Sequence, residues 1–303
     1  MKLATLDDGS RDGQLVVVSR DLASAHHASA VATRMQQLLD DWNFLSPQLE
    51  DLYAALNAGR ARHAFAFDPR RCRAPLPRAF CRAGAPGHRP PASVGDDAGT
   101  EAMDAAATPP ELRLAPGDAL LGPCEDIVLV PGEAAIDCAA GLAVISGDIA
   151  AGATPTQALE GVRLLALVGD WMLPELVASA FAPLAVTPDE LGPAWRDGRV
   201  HLPLQMRCRG ATGEAVDADA AMTHDFGALL AELARRRGLR AGSLVGSGPL
   251  IHAATAAAAC GPALRRGDRV RIEMTAPGGG SVFGAIEQEV AAAVPAAADT
   301  GTN

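Results

Sequence analysis

The stretch AIDCAAGLAVISGDIAAGATPTQALEGVRLLALVGDW, residues 135–171, decides how we interpret this chain. Its apolar run Leu142–Ile145 predicts a buried strand, and a Gly-Asp turn follows that strand. The tetrapeptide TPTQ at 154–157 has the pattern of a capping box, with proline at the first helical position. We therefore predict an amphipathic helix that leads towards an acidic residue, Asp170. Its apolar face would consist of Leu159, Val162, Leu165 and Ala166.

Two parts of this stretch resemble the fumarylacetoacetate hydrolase family. Residues 137–145, DCAAGLAVI, are similar to that family's core strand, which reads Asp-x-Glu-x-Glu-x-Ala and whose glutamates bind a divalent metal. Ala139 and Gly141 stand at the two glutamate positions of this chain. The segment VGDW at 168–171 resembles the family's Asn-Asp segment, and this resemblance implies that Asp170 is a metal ligand.

The resemblance covers most of the chain and implies a fold. Similar segments include MKLATLDDGSRDGQLVVVSRDL at the N-terminus, AVTPDELG at 185–192 and MTHDF at 222–226. The implied fold is α+β, a mixed β-sheet roll with flanking helices and a small N-terminal domain. We accordingly divide the chain into a small N-terminal domain at 1–78, an irregular Gly/Pro/Ala-rich segment at 79–117, a family-like domain at 118–290 and a flexible tail at 291–303.

Local patterns add several predicted elements. Residues 1–20 alternate short apolar runs with Asp-Gly turns and predict two strands. Val31–Asn57 predicts a helix in two pieces, with the second piece beginning at Pro47. A capped helix is expected after Asp225, and the alternation in residues 270–286 predicts a terminal β-hairpin.

Composition narrows the classes of partner and compartment. The formal net charge is −10, with no concentrated basic face, so we predict no nucleic-acid partner. No apolar run is long enough to cross a bilayer, and we predict no membrane partner. No zinc-type cysteine spacing occurs among the six cysteines, so we expect free thiols and a cytoplasmic protein. Lys2 is the only lysine, which leaves no lysine base elsewhere in the chain.

Two further groups of candidate site residues follow from the resemblance. The segment AGSLVGSG at 241–248 is similar to the family's Gly-Thr-x-x-Gly-Ser-Gly strand and loop. Gly246, Ser247 and Gly248 are therefore our substrate-binding candidates, with a simple strand-end turn as the structural alternative. His88 is the histidine nearest to the region in which the family carries its general base, and we take it as the catalytic candidate. A solvated loop histidine is the alternative.

The resemblance implies a hydrolase that cleaves a C–C bond in a β-diketo acid or an acylpyruvate, with Mg²⁺ or Mn²⁺ as cofactor. Because Asp170 is the one clear carboxylate left at the family's ligand positions, we expect this metal to bind weakly or not at all. Asp137 and Asp148 are other carboxylates near it in sequence. The alternative is a catalytically inactive or metal-independent relative that binds a small keto acid or a protein partner. The resemblance also implies a homodimer.

Overall fold

The structure is a computed structural model that describes residues 1–85, 108–130, 135–173, 177–253 and 263–292. Most of the regular structure is β, in two mixed sheets, and all but one of the described helices have fewer than ten residues. The predicted α+β class with mixed sheets is confirmed. Among the described residues, no helix has both the length and the apolar character needed to cross a membrane.

A ten-stranded central sheet carries the site. Strands are numbered along the chain, and this sheet contains β1 (Lys2–Leu6), β2 (Gln14–Val18), β3 (Ser24–His27), β4 (Phe65–Ala66), β5 (Cys81–Gly84), β6 (Arg113–Ala115), β8 (Asp137–Ser146), β9 (Val162–Met172), β10 (Val177–Val186) and β16 (Ser243–His252). Their order is β4-β3-β2-β1-β10-β9-β8-β16-β5-β6. Neighbouring strands are antiparallel except β5, which runs parallel to β16. Apolar side chains cover both faces, so that Leu142 and Val144 of β8 join one core while Ala143 and Ile145 join the other.

The second sheet packs against β10 and β9 of the central sheet. Its strands are β7 (Ile127–Leu129), β13 (Pro203–Cys208), β14 (Ala211–Thr212), β15 (Val216–Asp217), β17 (Arg269–Thr275) and β18 (Ser281–Ala292). Their order is β14-β13-β17-β18-β7, and β15 pairs with β13. The predicted terminal hairpin, β17–β18, is confirmed. The buried indole N–H of Trp171 donates to Oε1 of Gln288 at 2.7 Å and joins the two sheets. A separate short ribbon pairs β11 (Trp195–Arg196) with β12 (Arg199–Val200).

Six α-helices lie among the described residues. They are α1 (Met35–Asp40), α2 (Trp42–Asn57), α3 (Pro155–Leu159), α4 (Pro188–Leu191), α5 (Ala218–Ala221) and α6 (Phe226–Ala234), and 3₁₀ turns lie at Pro69–Arg71 and Gly192–Ala194. The predicted capping box of α3 is present, because Thr154 accepts from the Gln157 N–H and the Gln157 side chain accepts from the Thr154 N–H. Asp225 caps α6 as predicted and accepts from the Ala228 N–H at 3.0 Å.

The helical break that we predicted at Pro47 is wrong. The two pieces of helix meet at Asp41, and Pro47 lies inside α2. The buried face of α2 runs from Leu45 through Leu49 to Leu56. Packing of this continuous face keeps the helix intact across a residue that usually interrupts one.

The predicted amphipathic helix is also wrong beyond its first turn. It ends at Leu159, and the residues from Val162 to Met172 form strand β9. Because β9 lies between β8 and β10 with apolar cores on both faces, a nearly continuous apolar run suits it. Val162 and Leu165 have helical spacing only because the run is apolar at almost every position, and this spacing therefore does not indicate a helix.

Two findings describe how the N-terminal part of the chain and the segment after it join the central sheet. Strands β5 and β6 lie within the segment that we predicted to be irregular. Apolar and polar residues do not alternate there, so the sequence shows no strand pattern. The N-terminal segment contributes β1–β4 to the central sheet itself, because β1 pairs with β10. Lys2 strengthens this attachment, since its Nζ donates to the carbonyls of Ser281 (3.0 Å) and Val282 (3.1 Å) in β18. The sole lysine is thus a buried structural group, and burial lowers its pKa.

Candidate functional site

A row of directly opposed residues crosses four neighbouring strands of the central sheet. Ser179 on β10 faces Asp170 on β9, Asp170 faces Ala139 on β8, and Ala139 faces His252 on β16. Opposed residues of paired strands project from the same face of a sheet. We call Ser179, Asp170, Ala139 and His252 the polar row. Since neighbouring strands lie about 4.8 Å apart, Asp170 and His252 are separated by roughly 10 Å, with Ala139 between them.

Arg82 binds the carboxylate of this row. Its Nη2 donates to Oδ1 of Asp170 at 3.1 Å and also to the hydroxyl of Ser179, and that hydroxyl donates to Asp170. Its Nη1 donates to the carbonyl of Pro116 at 3.5 Å. The side chains of Arg82 and Asp170 are only 11% and 22% exposed, so the pair is largely shielded from water. We call Arg82, Asp170 and Ser179 the Arg82 cluster.

The electrostatics of Asp170 are dominated by burial. Burial raises the pKa of this carboxyl, while the Ser179 hydrogen bond and the Arg82 charge lower it, and the net direction is upward. The loss of water therefore outweighs the two favourable partners. The carboxylate is held between one guanidinium and one hydroxyl, which satisfies Oδ1 within the protein.

His252 and Asp137 form a second polar pair beside Ala139. Nδ1 of His252 lies 3.8 Å from Oδ2 of Asp137, and both side chains are about one-third exposed, at 29% and 32%. Asp137 and Ala139 are two residues apart on β8 and so share a face. An imidazole can act as a general acid or base, and a neighbouring carboxylate can orient its ring. His252 was not predicted as a site residue, because it follows the glycine segment without a motif of its own.

The predicted substrate-binding residues lie where β16 bends over β8. The pairing of the two strands shifts between Gly246 and Pro249. Gly248 has φ +80°, and a Cβ built on Gly141 would overlap its carbonyl oxygen. Ser247 fastens the bend, because its Oγ accepts from the Leu142 N–H at 3.1 Å and donates to the Gly248 carbonyl at 2.8 Å. Substrate binding by Gly246, Ser247 and Gly248 stays a prediction.

The described residues do not fit a divalent metal at the position that the resemblance implies. Ala139 and Gly141 offer no side-chain oxygen, and Gly141 has no room for a side chain. The remaining carboxylate, Asp170, is already paired with a guanidinium. Mg²⁺ and Mn²⁺ require several oxygen ligands, usually including carboxylates. No group of three or more His, Cys, Asp or Glu side chains placed to hold a metal ion occurs within the described ranges.

The two other carboxylates named from the sequence, Asp137 and Asp148, lie at opposite ends of β8. Asp137 lies near the polar row, beside His252. Asp148 lies just past the opposite end of β8, where it accepts from the Ala241 N–H at 2.9 Å and lies 3.8 Å from Arg240. A ten-residue strand spans about 30 Å, so Asp148 cannot contribute to the same site. His88, the predicted catalytic residue, lies outside the described residues.

The two buried free cysteines, Cys72 and Cys138, supply no reactive thiolate. Burial raises the pKa of Cys72 to about 12 and raises the pKa of Cys138 well above its ordinary value. Thiols of this kind stay protonated at neutral pH and are poor nucleophiles. The expectation of six free thiols is wrong for Cys208, which is disulfide-bonded.

Two family models match this chain. The family model described as fumarylacetoacetase N-terminal domain 2 matches residues 1–78, and the model described as fumarylacetoacetate (FAA) hydrolase C-terminal matches residues 91–291. No curated protein matches the chain.

Solved structures match over nearly the whole chain. Maleylpyruvate hydrolase from Sphingobium sp. SYK-6, in complex with manganese(II) ion and pyruvate, is 19% identical with a TM-score of 0.68, covering 97% of this chain and 100% of that one. Fumarylacetoacetate hydrolase from Exiguobacterium antarcticum gives 17% identity and a TM-score of 0.68, with the same coverage. 5-Carboxymethyl-2-hydroxymuconate delta-isomerase from Mycobacterium smegmatis gives 16% and 0.63, again covering 97% and 100%. At such identities the likeness concerns the fold.

Proposed function

Because this chain belongs to the fumarylacetoacetate hydrolase family, we propose that it takes a small keto acid of the acylpyruvate or β-diketo type. The reaction we propose is hydrolysis of a C–C bond in that acid. The substrate class is supported by the maleylpyruvate hydrolase of the same fold, whose structure includes pyruvate.

The observation that carries this proposal is the polar row with its two flanking pairs. Asp170 and His252 lie on one face of the sheet, where Asp170 pairs with the Arg82 guanidinium and His252 lies 3.8 Å from the Asp137 carboxylate. Between them stands Ala139, whose methyl group is the smallest side chain that a non-glycine residue can present. Charged and proton-transferring groups thus converge on one part of the fold.

Each pair suits one requirement of C–C hydrolysis. A water molecule must lose a proton as its oxygen adds to the carbonyl carbon, and His252, oriented by Asp137, suits that transfer. The C–C bond then breaks and its electron pair passes into an enolate, which is later protonated by the same histidine. Negative charge on the substrate's oxygens needs N–H donors, and the guanidinium of Arg82 is such a donor group.

A second candidate is binding of the keto acid without turnover. The absence of carboxylates at Ala139 and Gly141 favours it, because the chain lacks the ligands on which its relatives' metal would depend. An inactive relative that binds a protein partner belongs to the same alternative. The homodimer and the cytoplasmic location stay predictions, and sedimentation velocity of the purified chain tests the former.

Hydrolysis of acetylpyruvate, followed by the release of pyruvate, separates the two candidates. We expect turnover by the wild type and a loss of about 100-fold or more in kcat for His252→Gln, since general-base catalysis contributes at least that much. His224→Gln is the matched control, because His224 lies just before the N-cap of α6 and outside the polar row. An inactive wild type that still binds pyruvate would favour the binding candidate, and full activity in His252→Gln would remove the histidine from the mechanism.

A further inference from the structure

The site contains a positive charge that comes from a side chain, Arg82, and not from a metal ion. The guanidinium of Arg82 lies against the only carboxylate of the polar row and is held there by two acceptors, Asp170 and Ser179. A guanidinium stays protonated at every pH that a folded protein tolerates. The charge on Asp170 is therefore matched by a permanent cation.

The same place in the fold is closed to a metal ion by two independent features. Arg82 would repel any second cation that approached the Asp170 carboxylate. The backbone of Gly248 occupies the side-chain direction of Gly141, so the chain cannot regain a carboxylate there without moving β16. Both features act on the same end of β8, one by charge and the other by volume.

The donors of Arg82 are not exhausted by its partners. A guanidinium carries five N–H groups in one plane, and the described contacts of Arg82 are with Asp170, Ser179 and Pro116. Nη2 gives both of its N–H groups to Asp170 and Ser179, so the Nε–H and one Nη1–H remain. A guanidinium N–H forms short, charge-assisted hydrogen bonds with carboxylate oxygens. An α-keto acid presents carboxylate and carbonyl oxygens that can accept from either of these two donors.

We infer that the guanidinium of Arg82 takes the place of the divalent ion: it neutralises Asp170 and donates a hydrogen bond to an oxygen of an α-keto acid without metal. This inference takes from the proposed function only the substrate class. It departs from the metal that the family resemblance implies, and it makes Arg82 a substrate-binding residue.

Calorimetric titration with pyruvate tests the binding role. We expect the wild type to bind pyruvate with the same affinity, within about two-fold, in EDTA and in Mn²⁺. Arg82→Ala should lower that affinity by at least about ten-fold, while Arg82→Lys, which keeps the charge but loses the planar fork, should fall between them. Arg78→Ala is the matched control, because Arg78 forms an exposed pair with Asp12. Circular dichroism of each variant checks that it is folded.

Electron paramagnetic resonance of Mn²⁺ tests the exclusion of metal by itself. We expect no specific Mn²⁺ binding by the wild type. The double variant Arg82→Ala with Ala139→Glu places two carboxylates opposite each other on β8 and β9, and it should bind Mn²⁺ at least about ten-fold more tightly.

The two arms fail separately. Pyruvate binding that requires Mn²⁺, or that is unchanged in Arg82→Ala, overturns the inference. Mn²⁺ binding by the wild type as tight as that of the double variant also overturns it. A wild type that binds no pyruvate in either buffer defeats the substrate class of the proposed function, and the Mn²⁺ arm still decides whether Arg82 excludes a metal.

Discussion

Two arginine–aspartate pairs, formed by arginines four residues apart, experience opposite environments. Arg78 reaches Asp12 through Nε at 2.8 Å and Nη2 at 2.7 Å, and these side chains are 45% and 40% exposed. The pKa of Asp12 is lowered, chiefly by its hydrogen bond to Arg78. The Arg82–Asp170 pair is largely buried, and there the pKa of the carboxyl is raised. The hydrogen bond to Arg78 sets the direction of the Asp12 pKa shift. The loss of water on burial sets the direction of the Asp170 pKa shift.

The comparison also distinguishes what each pair does for stability. An exposed pair gains little, because water and salt weaken it. A buried pair adds little stability over an apolar replacement. Removing one partner, however, leaves the other charge buried and unpaired, which is strongly destabilising. The Arg82 pair is therefore costly to break and well suited to holding a ligand, whereas the Arg78 pair is dispensable.

The largest expected effect is that of Arg82→Ala on the free energy of unfolding. Removing the guanidinium leaves the Asp170 carboxylate unpaired, and such losses cost about 3 kcal/mol or more. Urea denaturation measures this change. Arg78→Ala should leave the unfolding midpoint unchanged. Equal effects of the two variants would contradict the contrast between the pairs.

A smaller effect is expected for Gly141→Ala, which tests how firmly the backbone beside the buried pair is closed. The added methyl would overlap the Gly248 carbonyl, and overpacking of this kind costs about 1–3 kcal/mol. Gly84→Ala is the control, because a Cβ built at that strand position meets nothing within 4 Å. If the two alanine variants unfold at the same urea concentration, β16 can move to make room at Gly141. The argument that Gly141 has no space for a carboxylate side chain would then be wrong.

The smallest expected effect is a difference in pH dependence. The folded-state pKa of Asp170 is raised, so this group favours folding at low pH and loses that contribution as pH rises above 3.8 through the raised pKa. The folded-state pKa of Asp12 is lowered, so its contribution is present above 3.8 and is lost as pH falls through the lowered pKa. Asp170→Asn should alter the melting temperature's pH profile above pH 3.8 and Asp12→Asn below it. Changes in the same window for both variants would refute the assigned directions.

The elements that were correctly predicted have local determinants. The capping box at Thr154 needs residues three positions apart, and the β17–β18 hairpin follows from alternation on both sides of one glycine-rich turn. The strand β8 was predicted from its apolar run and from its resemblance to the family. Strand β9 was mistaken for a helix because an apolar run buried on both faces carries no period that distinguishes the two.

The candidate site was less predictable because its groups meet only in the tertiary structure. Asp170 was chosen from a motif, but Arg82 and Ser179 reach it from β5 and β10. The segment Cys81–Gly84 has no strand pattern, and its pairing is parallel to a strand far along the chain. The bend of β16 over Gly141 depends on a shift in the pairing of β16 with β8, and no residue pattern predicts that shift.

The pairing of β1 with β10 has a consequence during synthesis. Lys2 is opposite Val186, so the ribosome must add the intervening residues before this ladder can close. At about 5–20 residues per second, β1 waits roughly 10–40 s for its partner. Throughout that time β1 can pair only with β2 and presents an open strand edge to other nascent chains. The rate of translation between these strands therefore sets how long the first-made part of this protein is exposed to misassembly.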